Sequence, residues 1–85
     1  MTHALKTWPE YFRLVVTGSK KFELRKLDRP FEVGDTILLQ EYNPETKTYS
    51  GNEQRFKISH VLKDATQFGL KKGFCILSLD EMTEY

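Results

Sequence analysis

Little in this chain of 85 residues can cross-link, chelate or enter a bilayer. It has one cysteine and two histidines, and no apolar run approaches the length of a membrane span. A single thiol excludes an internal disulfide framework, and His3 and His60 are too few and too scattered to suggest a metal site. The amino terminus lacks the apolar stretch of a signal peptide. The chain has no internal repeat, linker or low-complexity tract. These absences lead to the expectation of a reduced, cytoplasmic protein with no membrane contact, no metal and no cofactor.

The apolar content is 39%, with six Phe, four Tyr and one Trp, enough for one compact core, so residues 1–85 are expected to form a single domain. Net charge is only +1, but it is distributed in blocks. Residues 1–29 carry seven Lys/Arg against three acids, residues 30–54 one against five, and residues 55–72 five against one. If the two basic blocks meet in space, they form a positive patch suited to phosphate. Otherwise these charges simply cover a small surface.

The pattern along the chain predicts one helix and four or five strands. A short strand over residues 3–6 precedes Thr7, which is three residues ahead of Glu10 in capping-box spacing, with Pro9 tolerated in the first turn. The helix should run to about Thr17, with Trp8, Tyr11, Phe12 and Val15 as its core stripe, and should end at Gly18. A second strand is expected at about 21–26, with turns at Asp28-Arg29-Pro30 and Gly34-Asp35. Thr36 to Tyr42 reads as a strand buried on both sides near its middle. Asn43-Pro44-Glu45-Thr46 and Tyr49-Ser50-Gly51-Asn52 both read as turns, making 43–52 a hairpin excursion. Arg55 to Leu62 places Phe56, Ile58 and His60 opposite Arg55, Lys57 and Ser59. The polar stretch 63–73 has room for a helical turn, and Phe74 to Leu79 forms the last strand. Without βαβ spacing, these elements indicate an α+β domain around a curled antiparallel or mixed sheet.

The most informative segment is Gly18-Ser19-Lys20-Lys21-Phe22-Glu23-Leu24-Arg25, where the helix hands over to the second strand. Strand periodicity puts Lys21, Glu23 and Arg25 on one face and Phe22 and Leu24 on the other. Neighbours on one face lie roughly 6–7 Å apart, so Glu23 and Arg25 can act on one small polar group or orient each other. Lys20, just after the helix-ending glycine, can reach out from this handover with its stem on apolar surface.

This G-x-K-x-x-E-x-R pattern resembles the signature of the ASCH domain, a branch of the PUA-like folds. The likeness extends to His3-Ala4-Leu5-Lys6 and Trp8-Pro9-Glu10-Tyr11-Phe12 before it, and to Asp28-Arg29, Val33-Gly34-Asp35 and Glu41-Tyr42 after it. The chain looks like small single-domain ASCH-like proteins of bacteria and phages, a family of unknown function described as RNA-binding. That resemblance implies a small PUA-like β-barrel of about five strands with one main helix packed at its end. The family's usual Asn before Asp28-Arg29 is Leu27 here, so any contact made by that side chain is absent. A known ASCH-type hydrolase removes an acyl group from a modified cytidine. It keeps the motif lysine but has threonine where this chain has Glu23, and takes a further glutamate from a helical insertion before its last strand. Here residues 63–73 offer Asp64 and no glutamate, so that machinery does not carry over.

The expected function is non-catalytic binding of RNA, or of a nucleotide or modified nucleoside. Lys20 and Lys21 would hold phosphate, and Arg25 would clamp phosphate or a base edge. Glu23 would orient Arg25 or accept from an amino group, with Lys6 and Arg29 as outer contacts. The bland alternative for Glu23 and Arg25 is an ion pair of little worth. Two other functions stay open. One is hydrolysis of an acylated nucleoside or similar molecule at the same cleft, with Glu23 as base. The other is a protein-interaction module using a sheet edge or the 43–52 excursion. Tyr42 and Tyr49 are candidate stacking residues. Cys75, within a strand pattern and without a base partner, reads as a packed thiol.

Overall fold

The structure, a computed structural model, describes residues 1–82. Its strands are β1 (Thr2–Thr7), β2 (Phe22–Lys26), β3 (Thr36–Asn43), β4 (Thr48–Leu62) and β5 (Phe74–Glu81), with helix α1 (Pro9–Val16) between β1 and β2. They form one sheet in the order β1-β3-β4-β5-β2, in which β1 and β3 are parallel and the other pairs antiparallel. The sheet curls into a half-barrel, and with one helix this is the expected α+β class. A 3-10 turn at Thr66–Phe68 supplies the helical turn expected in the β4–β5 connection. Among the described residues, no helix is long and apolar enough to cross a membrane.

Alternation explains the core. One face of each long strand points into the half-barrel: Leu5 from β1, Ile37 and Leu39 from β3, Phe56 and Ile58 from β4, and Cys75, Leu77 and Leu79 from β5. Helix α1 closes one side with Phe12 and Val15. Each of the Leu, Ile, Val and Phe side chains among them, moved from water into this core, contributes about 1.5–3 kcal/mol. Leu38, on the outer face of β3, is only partly buried, so this strand is not sandwiched on both sides as expected.

Two local irregularities alter the expected pattern. The segment Tyr49-Ser50-Gly51-Asn52 belongs to β4 and is not a turn. A register shift between Gln40 and Tyr42 absorbs the extra residues, with Gly51 at φ +94° taking a backbone conformation that a side chain would strain. A second shift, between Ile58 and His60, leaves Ser59 as the extra residue and reverses the facing of the residues after it. His60 is therefore exposed, and Val61 packs on the core.

The start of α1 also departs from the capping-box expectation. The residue at the helix N-cap is Trp8, which makes no side-chain cap, while Thr7 is a buried end residue of β1. The helix ends as expected. Gly18 adopts φ +86°, and its N–H donates to the Val15 carbonyl at 3.1 Å. The Lys20 N–H then donates to Leu14 at 3.0 Å, which folds the chain back and aims the Lys20 side chain across the helix toward β2.

Candidate functional site

The two edge strands of the half-barrel, β1 and β2, are not joined by a ladder. Side chains from the G-x-K-x-x-E-x-R segment link them instead. Glu23 is 4% exposed, and both of its carboxylate oxygens are engaged by cations. Lys20 Nζ donates to Oε1 at 2.9 Å, and Arg25 Nε donates to Oε2 at 3.1 Å. Arg25 then reaches across the seam, where Nη2 donates to the Lys6 backbone carbonyl and, at 3.3 Å, to Thr7 Oγ1. The hydroxyl expected to cap α1 is thus turned to the motif arginine.

Beside this bridge lies a cleft of about 470 Å³, lined by Lys6, Thr7, Trp8, Tyr11, Lys20 and residues 22–25. Its size falls in the range of small-molecule sites, roughly 300–1,000 Å³. Within it Glu23 is buried and Lys20 and Arg25 are mostly buried, while the aromatic side chains are about half exposed. Trp8 and Tyr11, 50% and 44% exposed, stack with centroids 6.1 Å apart. The Lys20 ammonium lies 5.4 Å from the Tyr11 ring and 5.0 Å from that of Phe22, which is itself partly exposed. Trp8 and Tyr11 are therefore not core residues as the helical stripe suggested. An eight-residue helix has room to bury one narrow face, which Phe12 and Val15 fill. A tryptophan just ahead of a first-turn proline was the signal that it lies outside that face.

The expected site residues separate into two groups. Lys6, Lys20, Glu23 and Arg25 line the one cleft. Lys21 lies outside it, on a neighbouring groove with Gly18, Asp80 and Glu81. Arg29 also lies elsewhere, 3.7 Å from Asp28 and over the Phe31 ring. The cleft's cations all come from the first basic block, with none from residues 55–72. The Lys6 ammonium rests 4.5 Å from the Tyr42 ring and 5.9 Å from Tyr49, and the two rings meet edge-on at 5.0 Å. These tyrosines hold the outer end of Lys6 and do not line the cleft.

Other reactive side chains are poorly placed for chemistry. Cys75 is fully buried, and burial, with Asp28 adding to it, pushes its thiol up, away from the nucleophilic thiolate. No cluster of three or more His, Cys, Asp or Glu side chains among the described residues is arranged to hold a metal ion. Glu23, held at both oxygens by cations, is arranged to position Lys20 and Arg25.

Residues 2–79 match a family model described as Domain of unknown function (DUF3850). The "Uncharacterized 12.9 kDa protein in GpA 3'region" of Escherichia phage P2 is 48% identical over 40 residues, covering 47% of this chain and 37% of that relative. With the family model spanning nearly all of it, the chain belongs to the family described as Domain of unknown function (DUF3850).

Proposed function

We propose that this protein binds RNA, or a nucleotide or modified nucleoside, in the cleft between α1 and β2, and that it does so as an ASCH-type, PUA-like module without catalysis. The observation that carries this reading is the convergence of Lys20 and Arg25 on one buried carboxylate in a cleft edged by exposed aromatic side chains. Cations supply the sequence-independent attraction to phosphate, and aromatic faces stack bases. Sheet curvature, the single helix and the motif's position at the helix–strand handover support the fold-family assignment. The engagement of both Glu23 oxygens favours a positioning role over proton abstraction. A buried, unreactive Cys75 suits a reduced cytoplasmic setting.

The test is a titration with short single-stranded RNA oligomers and with nucleotides at low and physiological salt. The expected outcome is binding that weakens with salt by roughly 0.7 log units per log unit for each phosphate neutralised. The double variant Lys20→Ala/Arg25→Ala should lose it. Absence of binding, or binding unchanged in that variant, overturns the proposal.

A further inference from the structure

We infer that the β4–β5 connection is a second RNA contact, at which Phe68 stacks a base and Lys26, Lys63, Lys71 and Lys72 hold phosphates of a strand that continues beyond the cleft. This inference rests on the RNA-binding reading above and favours a polymer over a free nucleotide as the ligand.

The first argument is one aromatic side chain held out in water. Phe68 is 85% exposed, more than any other large apolar side chain among the described residues. The backbone that carries it is tied down. The Phe68 and Leu70 N–H groups donate to the Ala65 carbonyl at 3.0 and 3.2 Å, the Gly69 N–H donates to that of Thr66 at 3.0 Å, and Ala65 itself is buried. Gly69, at φ +97°, turns the chain directly after the aromatic. Around the ring, Thr66, Gln67 and Gly69 are exposed and polar or small, so the tip offers little else for a lipid or a protein core to bury. One fixed ring is, however, what one base stacks on.

The second argument is charge. Lys63, Lys71 and Lys72 belong to the basic segment 55–72, and the pairing of β5 with β2 brings this connection to Lys26, in the basic segment 1–29. Lys26 is the register partner of Phe74, and the Lys71 ammonium lies 5.5 Å from the Phe74 ring. All four lysines are exposed, and none makes an ion pair among the described residues. Asp64 is the one acid in residues 63–73, while Asp28 lies 3.7 Å from Arg29. The two basic segments therefore meet here and not in the cleft, with a surplus of positive charge suited to successive phosphates.

The third argument is continuity. On β2 the cleft lining runs to Arg25. Roughly 7 Å of strand rise further on, the Leu27 N–H donates to the Gly73 carbonyl at 2.8 Å and joins the two segments. Cys75, the register partner of Arg25, feels the charges of both Arg25 and Lys63. A strand leaving the cleft past Arg25 thus meets this connection next.

The experiment follows the anisotropy of two labelled single-stranded RNAs of one base composition, about three and about twelve nucleotides long. The longer should bind about tenfold or more tightly. Phe68→Ala should weaken the longer about tenfold and leave the shorter unchanged. Lys71→Gln/Lys72→Gln should lower the salt slope of the longer by roughly 1.4 log units per log unit. All three side chains are exposed, so urea midpoints should not move, and Lys57→Ala, opposite Asp80 in the β4–β5 ladder, should alter neither affinity. If both loop variants leave the affinity and salt slope of the longer RNA unchanged, the inference is overturned and cleft binding stands. Phosphatidylserine vesicles that retain the parent but not Phe68→Ala, with equal RNA affinity for both, overturn it in favour of a lipid surface. Loop variants that weaken the longer RNA while Lys20→Ala/Arg25→Ala does not uphold the loop contact and overturn the cleft. Absence of binding by either RNA overturns both.

Discussion

Glu23 and Asp35 are two buried carboxylates at the two ends of β1, and their surroundings differ. At the start of the strand, His3 Nε2 donates to Asp35 Oδ2 at 2.8 Å, and the Glu32 N–H and the amino-terminal ammonium complete the shell at 3.1 and 3.2 Å. That arrangement is closed and borders neither the Glu23 cleft nor the Lys21 groove; it ties the turn before β3 to β1. At the strand's other end, Glu23 is just as buried, but the cations that hold it line a cleft and keep donors in reserve. Burial of a charge therefore does not by itself distinguish a structural carboxylate from one that organises a site. What differs between the two is the unused hydrogen-bonding capacity of the partners, which at Glu23 faces open volume.

The comparison can be broken most forcefully at Glu23. Glu23→Gln leaves Lys20 and Arg25 without their shared counter-charge, and should lower stability by about 3 kcal/mol in urea unfolding as well as weaken RNA binding. Trp8→Ala should do the reverse, lowering RNA affinity by about 1–3 kcal/mol while the urea midpoint barely moves, because its ring is half exposed. At Asp35, the hydrogen bond from His3 is the main cause holding the carboxyl below its ordinary value of 3.8, aided by the Glu32 N–H and the amino terminus and opposed by burial. A depressed carboxyl stabilises the fold at pH above its unfolded value, and that stability is lost as pH falls through the folded one. Urea midpoints taken from about pH 6 down to pH 3 should therefore fall in the parent and fall less in Asp35→Asn, with RNA affinity near neutral pH unchanged by that substitution. The smallest effects belong to Lys21→Ala and Arg29→Ala, outside the cleft, each expected to shift stability by less than about 0.5 kcal/mol and affinity by less than about threefold.

Much of this was legible in the order of residues. Apolar patterning indicated a strand in each of the five places, though the first half of β4 read as a turn, and Gly18 and Gly34 marked the reversals at which both have positive φ. The motif spacing brought Lys20, Glu23 and Arg25 together because the helix end and the first strand residues lie within one short turn. What could not be read depends on partners distant in sequence. Thr7 looked like a cap because nothing local shows that Arg25, on the other edge strand, reaches its hydroxyl. His60 looked inward because an extra residue at Ser59 is visible only against the β5 register. Strand periodicity sorted Phe22 and Leu24 onto an apolar face of β2, yet both are exposed while Glu23 between them is buried. The usual amphipathic rule inverts at an edge strand whose inner face meets a polar cleft. Lys21 and Arg29 resemble Lys20 and Arg25 in composition, and only backbone direction separates them.

The most direct measurement is amide and indole NMR mapping during titration with a short single-stranded RNA. The account predicts shifts concentrated at Thr7, the Trp8 indole, Tyr11 and residues 20–25, with His3 and Asp35 unmoved. Shifts confined to the β3–β4 hairpin or the outer sheet face, or none at saturating RNA, would contradict it.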